Sequence, residues 1–169
     1  MITKHKKRES KYILNKDRLR EGMKTWVSFY RSNIHRFAMD YLKCPLKPFQ
    51  AILLYLMDKN DFFMMIGSRG IGKSFLVAVY CCSKAILCPG IKIIVAAKDK
   101  SQAKLMITQK IEKELLNYQG SMLRYEIAKD GIKTGGNEAK VVFKNSSTIE
   151  AVVSGDSARG YRGNVMPLI

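Results

Sequence analysis

The chain has 169 residues, of which 47% are hydrophobic and 26% charged, so it can bury a core and is not a wholly disordered chain. Its 30 Lys and Arg residues against 14 Asp and Glu residues give a formal net charge of +16, which favours an acidic partner such as nucleic acid. No apolar run is long enough to cross a membrane, and the four cysteines lack C-x-x-C spacing. These features predict a cytoplasmic protein with buried, free thiols.

The positive charge is concentrated at the N-terminus. Residues 1–37 contain eleven Lys or Arg and three Asp or Glu, which is +8 of the +16. Such a stretch binds phosphate groups or simply stays solvated, and both interpretations remain open. We expect a loose basic arm over residues 1–11 and an amphipathic helix over about 17–42, because apolar residues recur there at spacings of three and four. These residues are Leu19, Met23, Trp26, Tyr30, Ile34, Phe37 and Tyr41.

From residue 45 onward the sequence alternates between helical and strand patterns. This alternation predicts an α/β fold with a parallel sheet and right-handed crossovers. We expect a turn at Asn145-Ser146-Ser147 to join the last two strands as a hairpin, and a loop over residues 131–137. The predicted elements are a helix after Pro48, a buried strand at 62–66, a buried helix at 75–87, a strand at 91–97, a helix capped by Asp99 or Ser101 and ending near Tyr118, and strands at 123–128, 141–143 and 148–153.

The strongest functional signal is a glycine-rich stretch between the first predicted strand and the buried helix. It satisfies G-x-x-x-x-G-K-[ST] in full, and its glycines let backbone N–H groups turn inward around a phosphate. Lys73 can bridge the β- and γ-phosphates of a nucleotide, and the Ser74 hydroxyl can bind Mg²⁺. The stretch is Gly67, Ser68, Arg69, Gly70, Ile71, Gly72, Lys73 and Ser74.

Two further features accompany this motif, and each has two interpretations. The Gln50 amide can read an adenine edge beside the face of Phe49, or it can be an ordinary residue at a helix start. Arg69 lies inside the loop, where its guanidinium can contact the γ-phosphate or point into solvent.

In combination, four motifs resemble the large subunit of tailed-phage terminase. The resemblance runs from about Trp26 to near the C-terminus, with the motifs in the family's order. They are Trp26-x-x-Phe29-Tyr30-Arg31-x-Asn33-x-His35-Arg36-Phe37, Leu46-Lys47-Pro48-Phe49-Gln50, Gly67-Ser68-Arg69-Gly70-Ile71-Gly72-Lys73-Ser74 and Ala158-Arg159-Gly160-Tyr161-Arg162-Gly163-Asn164.

The resemblance implies a RecA-like P-loop ATPase domain that uses ATP and Mg²⁺ to move double-stranded DNA into a procapsid. It assigns Phe49 and Gln50 to adenine contact and Arg69 to sensing or completing the ATP site. It places Arg159 and Arg162 in a basic turn, with anchoring of a loop and coupling to nucleotide or DNA both open. The implied partners are the terminase small subunit, the portal and procapsid, and other large-subunit copies, in the cytoplasm of a bacterial host.

The chain departs from the family pattern at its C-terminus. The family continues with an apolar strand ending in Asp-Glu, whereas this chain reaches Pro167 and stops at Ile169. We therefore expect a basic arm and helix at 1–42 and a partial ATPase domain at 43–169, which lacks the metal-binding carboxylates and the nuclease domain, binds ATP weakly and hydrolyses it hardly at all. The alternatives are another P-loop translocase or helicase, and a non-catalytic prophage remnant that binds nucleic acid through its basic N-terminus.

Overall fold

A computed structural model of the chain describes residues 3–135, 139–153 and 162–167, and gives only the backbone of residues 3–14, 100 and 103. The chain forms two compact units that meet between Asn33 and Ile34 in the sequence, and the predicted division at residue 42 stays a prediction. The elements are α1 (Thr3–Ser32), α2 (Ile34–Asp40), α3 (Pro48–Lys59), α4 (Lys73–Leu87), β1 (Lys92–Ala97), α5 (Lys100–Leu105), a π-helix (Met106–Glu114), a 3-10 turn (Leu115–Asn117), α6 (Leu123–Glu126), β2 (Ile127–Lys133), β3 (Lys140–Phe143) and β4 (Thr148–Val153).

The first unit consists of α1, a helix of 30 residues. The prediction of a loose arm followed by one helix over 17–42 is corrected, because the helix begins at Thr3 and ends at Ser32. Residues 3–32 contain no proline and many Lys, Arg and Glu residues, which favour a continuous helix. Asn33 follows the helix, and its side-chain amide donates to the Phe29 carbonyl at 2.9 Å. Within α1, the Tyr30 ring makes edge contacts with those of Trp26 and Phe29.

The second unit is built around α4, as the sequence predicts. Eleven of its fifteen residues are buried, because this helix packs against α2, α3, the π-helix and the strands β1 and β4. Its end is as predicted, just ahead of Pro89-Gly90, with Cys88 donating its backbone N–H to the Lys84 carbonyl. Three cysteines are buried, as predicted, whereas the fourth, Cys88, is half-buried, and all four are free thiols.

A four-stranded sheet of order β1-β4-β3-β2 lies beside these helices. The prediction of a mixed helix-and-strand architecture is confirmed, but the sheet is mixed rather than parallel. β1 and β4 are parallel, whereas β4 with β3 and β3 with β2 are antiparallel. The antiparallel pairing of β3 and β4 follows from the predicted hairpin, in which the Phe143 N–H bonds the Ser147 carbonyl and Ser146 has a φ of 68°.

The predicted strand at 62–66 does not form. Residues 62–66 belong to no strand or helix, and Phe62 and Ile66 are 97% and 91% exposed. A strand needs a neighbour with free backbone groups, and both edges of β1 are occupied. β4 pairs with one edge, and on the other edge Ile94 and Ala96 donate their N–H groups to the carbonyls of Val165 and Pro167.

Two smaller boundaries also differ from the sequence prediction. The strand expected at 123–128 begins as the short helix α6, and β2 continues through the expected loop to Lys133. A register shift in β2 accompanies a positive φ at Asp130. Glycine follows at 131, where a Cβ would lie 2.5 Å from the Val142 carbonyl oxygen. Within the described part of the chain, no helix combines the length and apolar character needed to cross a membrane.

Candidate functional site: the glycine-rich loop

The Gly67–Ser74 stretch forms a turn that leads directly into α4. Gly70 and Gly72 have φ values of 86° and 92°, a left-handed conformation that favours glycine. Gly72 is the N-cap of α4, and its carbonyl accepts the first helical hydrogen bond, from the Leu76 N–H at 2.9 Å. Because no side chain caps this helix, the N–H groups of its first turn face the loop without a capping oxygen. A long helix that begins in this way favours an anion at its N-terminus.

Lys73 lies within this loop rather than in a surface ion pair. Its Nζ donates to the Gly67 carbonyl at 2.6 Å and to the Ser68 carbonyl at 2.9 Å. The ammonium group therefore closes the loop on itself and holds a positive charge beside the N-terminus of α4. Both bonds are exposed, so they can be exchanged for bonds to an incoming anion.

The sequence around the loop is free of negative charge. Residues 62–83 contain Arg69 and Lys73 and no Asp or Glu, whereas Lys84, at the far end of α4, is paired with Asp58. The positive end of α4 adds to these charges, so the local field favours an anionic ligand.

Gln50 connects α3 to the loop. Its Oε1 accepts the Lys47 N–H at 3.0 Å, and its Nε2 donates to the Ile71 carbonyl at 3.3 Å. The residue is only 8% exposed, although it belongs to a helix whose neighbouring Phe49 is 40% exposed. A Cβ on Gly72 would lie 2.9 Å from the Gln50 Nε2, so the amide packs directly over the end of the loop.

A second connection holds α3 against α4. The Lys84 Nζ lies 2.6 Å from the Asp58 Oδ1, and the Asp58 side chain is almost fully buried. This ion pair and the Gln50 amide join the two helices that precede and follow the loop. Neither contact was predicted from the sequence. A Gln in the first turn of a helix that begins with Pro48 is a capping signal, but the bond to Ile71 depends on tertiary packing.

The remaining predicted site residues lie in different places. Phe49 and Arg69 are exposed, Ser74 is half-buried in the first turn of α4, and Arg159 lies outside the described residues. Arg162 is exposed in the segment just before the residues that pair with β1, where Asn164 donates its N–H to the Lys92 carbonyl. The structure brings Gln50 to the loop, and whether these residues bind a nucleotide stays a prediction.

The loop offers few ligands for a metal. Ser74 supplies a hydroxyl, whereas nowhere among the described residues do three His, Cys, Asp or Glu side chains form a group that could hold a metal ion. Asp99, an acidic residue near the end of β1, instead caps α5 as the sequence predicts, accepting the Gln102 N–H at 2.8 Å. The described residues therefore fit a phosphate group better than they fit a metal ion bound by the protein alone.

The comparisons with known proteins give no family assignment. No protein-family model matches this sequence, and a search of curated proteins found no match.

Proposed function

We propose that this chain binds ATP through the Gly67–Ser74 loop and is the ATPase portion of a DNA-packaging motor of the terminase large-subunit type. The observation that carries the proposal is the loop itself, in which a complete G-x-x-x-x-G-K-[ST] sequence places a left-handed glycine, Gly72, at the N-cap of a buried helix. The loop leads into a helix N-terminus, where backbone N–H groups favour an anion, and Lys73 is held at the loop by two carbonyls.

The chemistry of the loop suits a triphosphate. Backbone N–H groups at the start of α4 donate to phosphate oxygens, and Lys73 exchanges its two carbonyl partners for β- and γ-phosphate oxygens. Arg69, which is exposed in the same loop, adds a second positive charge. Mg²⁺ bound with the nucleotide would neutralise phosphate charge and would take the Ser74 hydroxyl as its protein ligand.

The proposed role in DNA packaging rests on the resemblance to terminase and on the charge of the N-terminal helix. α1 contains ten Lys or Arg and three Asp or Glu. A helix with this excess attracts the phosphate backbone of double-stranded DNA without reading its sequence. The small subunit, the portal and further large-subunit copies are the partners that this proposal implies.

A second candidate function is supported by the division of the chain into two units. Since the most basic segment forms a compact unit of its own, it can bind nucleic acid whether or not the loop binds a nucleotide. In this alternative the chain is a non-catalytic nucleic-acid-binding protein. A helicase-like P-loop translocase would share the loop chemistry and differ in its partners.

Titration with a fluorescent ATP analogue tests the proposal. The wild-type chain should bind saturably, and Lys73→Ala should weaken binding at least about tenfold, since a charge-assisted bond is lost. Lys144→Ala removes an exposed lysine from the β3–β4 turn and should leave the affinity unchanged. Equal affinities for the wild type and Lys73→Ala would refute the loop as the site. DNA binding without any ATP binding would favour the second candidate.

A further inference from the structure

We infer that Gln50 is a positioning residue for the phosphate loop and does not read the adenine base. This inference rests on the proposed function, because it concerns how the same loop is shaped for a triphosphate. It departs from the role that the resemblance to terminase assigns to Gln50.

Both ends of the Gln50 amide already have a partner in the protein. Reading an adenine edge requires one donor and one acceptor of the same amide. Here one of the two acceptor sites of Oε1 bonds the Lys47 N–H, and one of the two Nε2 donors bonds the Ile71 carbonyl. With 8% of the residue exposed, little of the amide is left for a base.

The two partners of the Gln50 side chain require an amide. Lys47 presents an N–H and Ile71 presents a C=O, so the side chain between them must accept at one end and donate at the other. Glutamate would satisfy Lys47 but would place an oxygen against the Ile71 carbonyl. Alanine would satisfy neither group. The opposite polarity of the two partners also fixes which end of the amide faces the loop.

Gln50 also orients the peptide unit between Ile71 and Gly72. In a trans peptide the C=O of Ile71 and the N–H of Gly72 point in opposite directions. A bond that holds the Ile71 carbonyl toward α3 therefore turns the Gly72 N–H away from α3. Gly72 is the N-cap residue immediately before Lys73, so Gln50 sets the direction of a loop amide next to the lysine.

The packing over Gly72 supports the same role. Because a Cβ at this position would come within 2.9 Å of the Gln50 Nε2, any residue other than glycine at 72 would force the amide to move from its position against Ile71. Gln50 thus touches two successive loop residues, by a hydrogen bond at Ile71 and by packing at Gly72.

The test compares three ligands that share a triphosphate but differ in the base, namely ATP, GTP and inorganic triphosphate. If Gln50 positions the loop, Gln50→Ala should lower the affinity for all three ligands by the same factor, about fivefold for the loss of one hydrogen bond. The ratio of the ATP affinity to the GTP affinity should stay at its wild-type value. Gln102→Ala, which removes an exposed glutamine from α5, should change none of the three affinities.

Gln50→Glu keeps the experiment decisive if Gln50→Ala does not fold. It retains the acceptor for Lys47, and an acidic residue in the first turn of α3 is favourable there. Its added charge repels every triphosphate alike, so the affinity ratios should again be unchanged. A selective loss of ATP affinity in either variant would overturn the inference in favour of adenine reading. Unchanged affinities for all three ligands would overturn it as well.

Different results would refute the proposed function and the positioning role of Gln50. A wild-type chain that binds none of the three ligands would refute the proposed function itself. If the wild type binds all three ligands through Lys73 and Gln50→Ala weakens only the binding of ATP, the proposed function is supported and the positioning role of Gln50 is refuted.

Discussion

At the scale of single residues, the loop contains two left-handed glycines, Gly70 and Gly72, whose surroundings are not the same. Nothing lies within 4 Å of a Cβ built on Gly70, whereas a Cβ on Gly72 meets the Gln50 amide. The two positions therefore form a matched pair, in which backbone strain is common to both and the clash with Gln50 is specific to one.

We predict that Gly72→Ala lowers the free energy of unfolding more than Gly70→Ala does. The left-handed conformation should cost each variant about 1 kcal/mol. Gly72→Ala should lose a further amount of about 1 kcal/mol or more because its Cβ comes too close to Gln50. Urea unfolding measures both changes, and in a Gln50→Ala background the difference between the two variants should disappear. Equal losses in the wild-type background would contradict this account of Gly72.

At the scale of secondary structure, elements were predicted well where local signals agreed. α4, β1 and β4 consist largely of apolar runs bounded by Gly, Pro or turn residues, and each lies within two residues of its predicted bounds. The prediction of a strand at 62–66 was wrong because a strand forms only where a neighbouring strand offers free backbone groups. Residues 164–167 occupy that edge of β1. Tertiary contacts limit the prediction of the site in the same way. The motif predicts the loop, but not the hydrogen bond between Gln50 and Ile71, which are 21 residues apart in the sequence.

The charge of α1 leads to a prediction about DNA binding. Residues 1–20 contain eight Lys or Arg and two Asp or Glu. Their removal should reduce the slope of log Kd against log salt concentration by about 0.9 for each DNA phosphate that is no longer neutralised. Titration of a duplex between about 50 and 200 mM salt measures the slope. Phe29→Ala, which removes an exposed ring but no charge, should keep the wild-type slope. An unchanged slope after the deletion would show that this charge only keeps the chain soluble.

At the scale of the whole second unit, a tyrosine joins the helical layer to the start of β2. The Tyr41 hydroxyl donates to a Glu126 carboxylate oxygen, and the Met122 N–H bonds the Tyr41 carbonyl. Burial, together with the hydrogen bond to Glu126 and its negative charge, raises the pKa of Tyr41 to about 12. The neutral phenol is therefore favoured in the folded state. Its contribution to stability is present below about pH 10, the pKa of an unfolded tyrosine, and is lost as the pH rises toward 12.

We predict that the stability difference between the wild type and Tyr41→Phe shrinks as the pH rises from 9 to 11.5. The comparison with Tyr41→Phe cancels the titration of lysines, which both proteins share. Urea unfolding at several pH values, with reducing agent present, measures the difference. Tyr125→Phe, which alters an exposed tyrosine two residues before β2, should change stability little at any pH. A difference between the wild type and Tyr41→Phe that grows with pH would contradict the assigned sign.

The central claim is that the Gly67–Ser74 loop binds the phosphates of ATP, and amide chemical shifts test it most directly. In a ¹⁵N-labelled chain titrated with ATP, we expect the largest saturable shifts at Gly67–Ser74 and in the first turn of α4. These shifts should be absent in Lys73→Ala and reproduced by inorganic triphosphate. Shifts confined to α1, which would reflect attraction of any polyanion to its basic residues, or no saturable shifts at all, would contradict the claim.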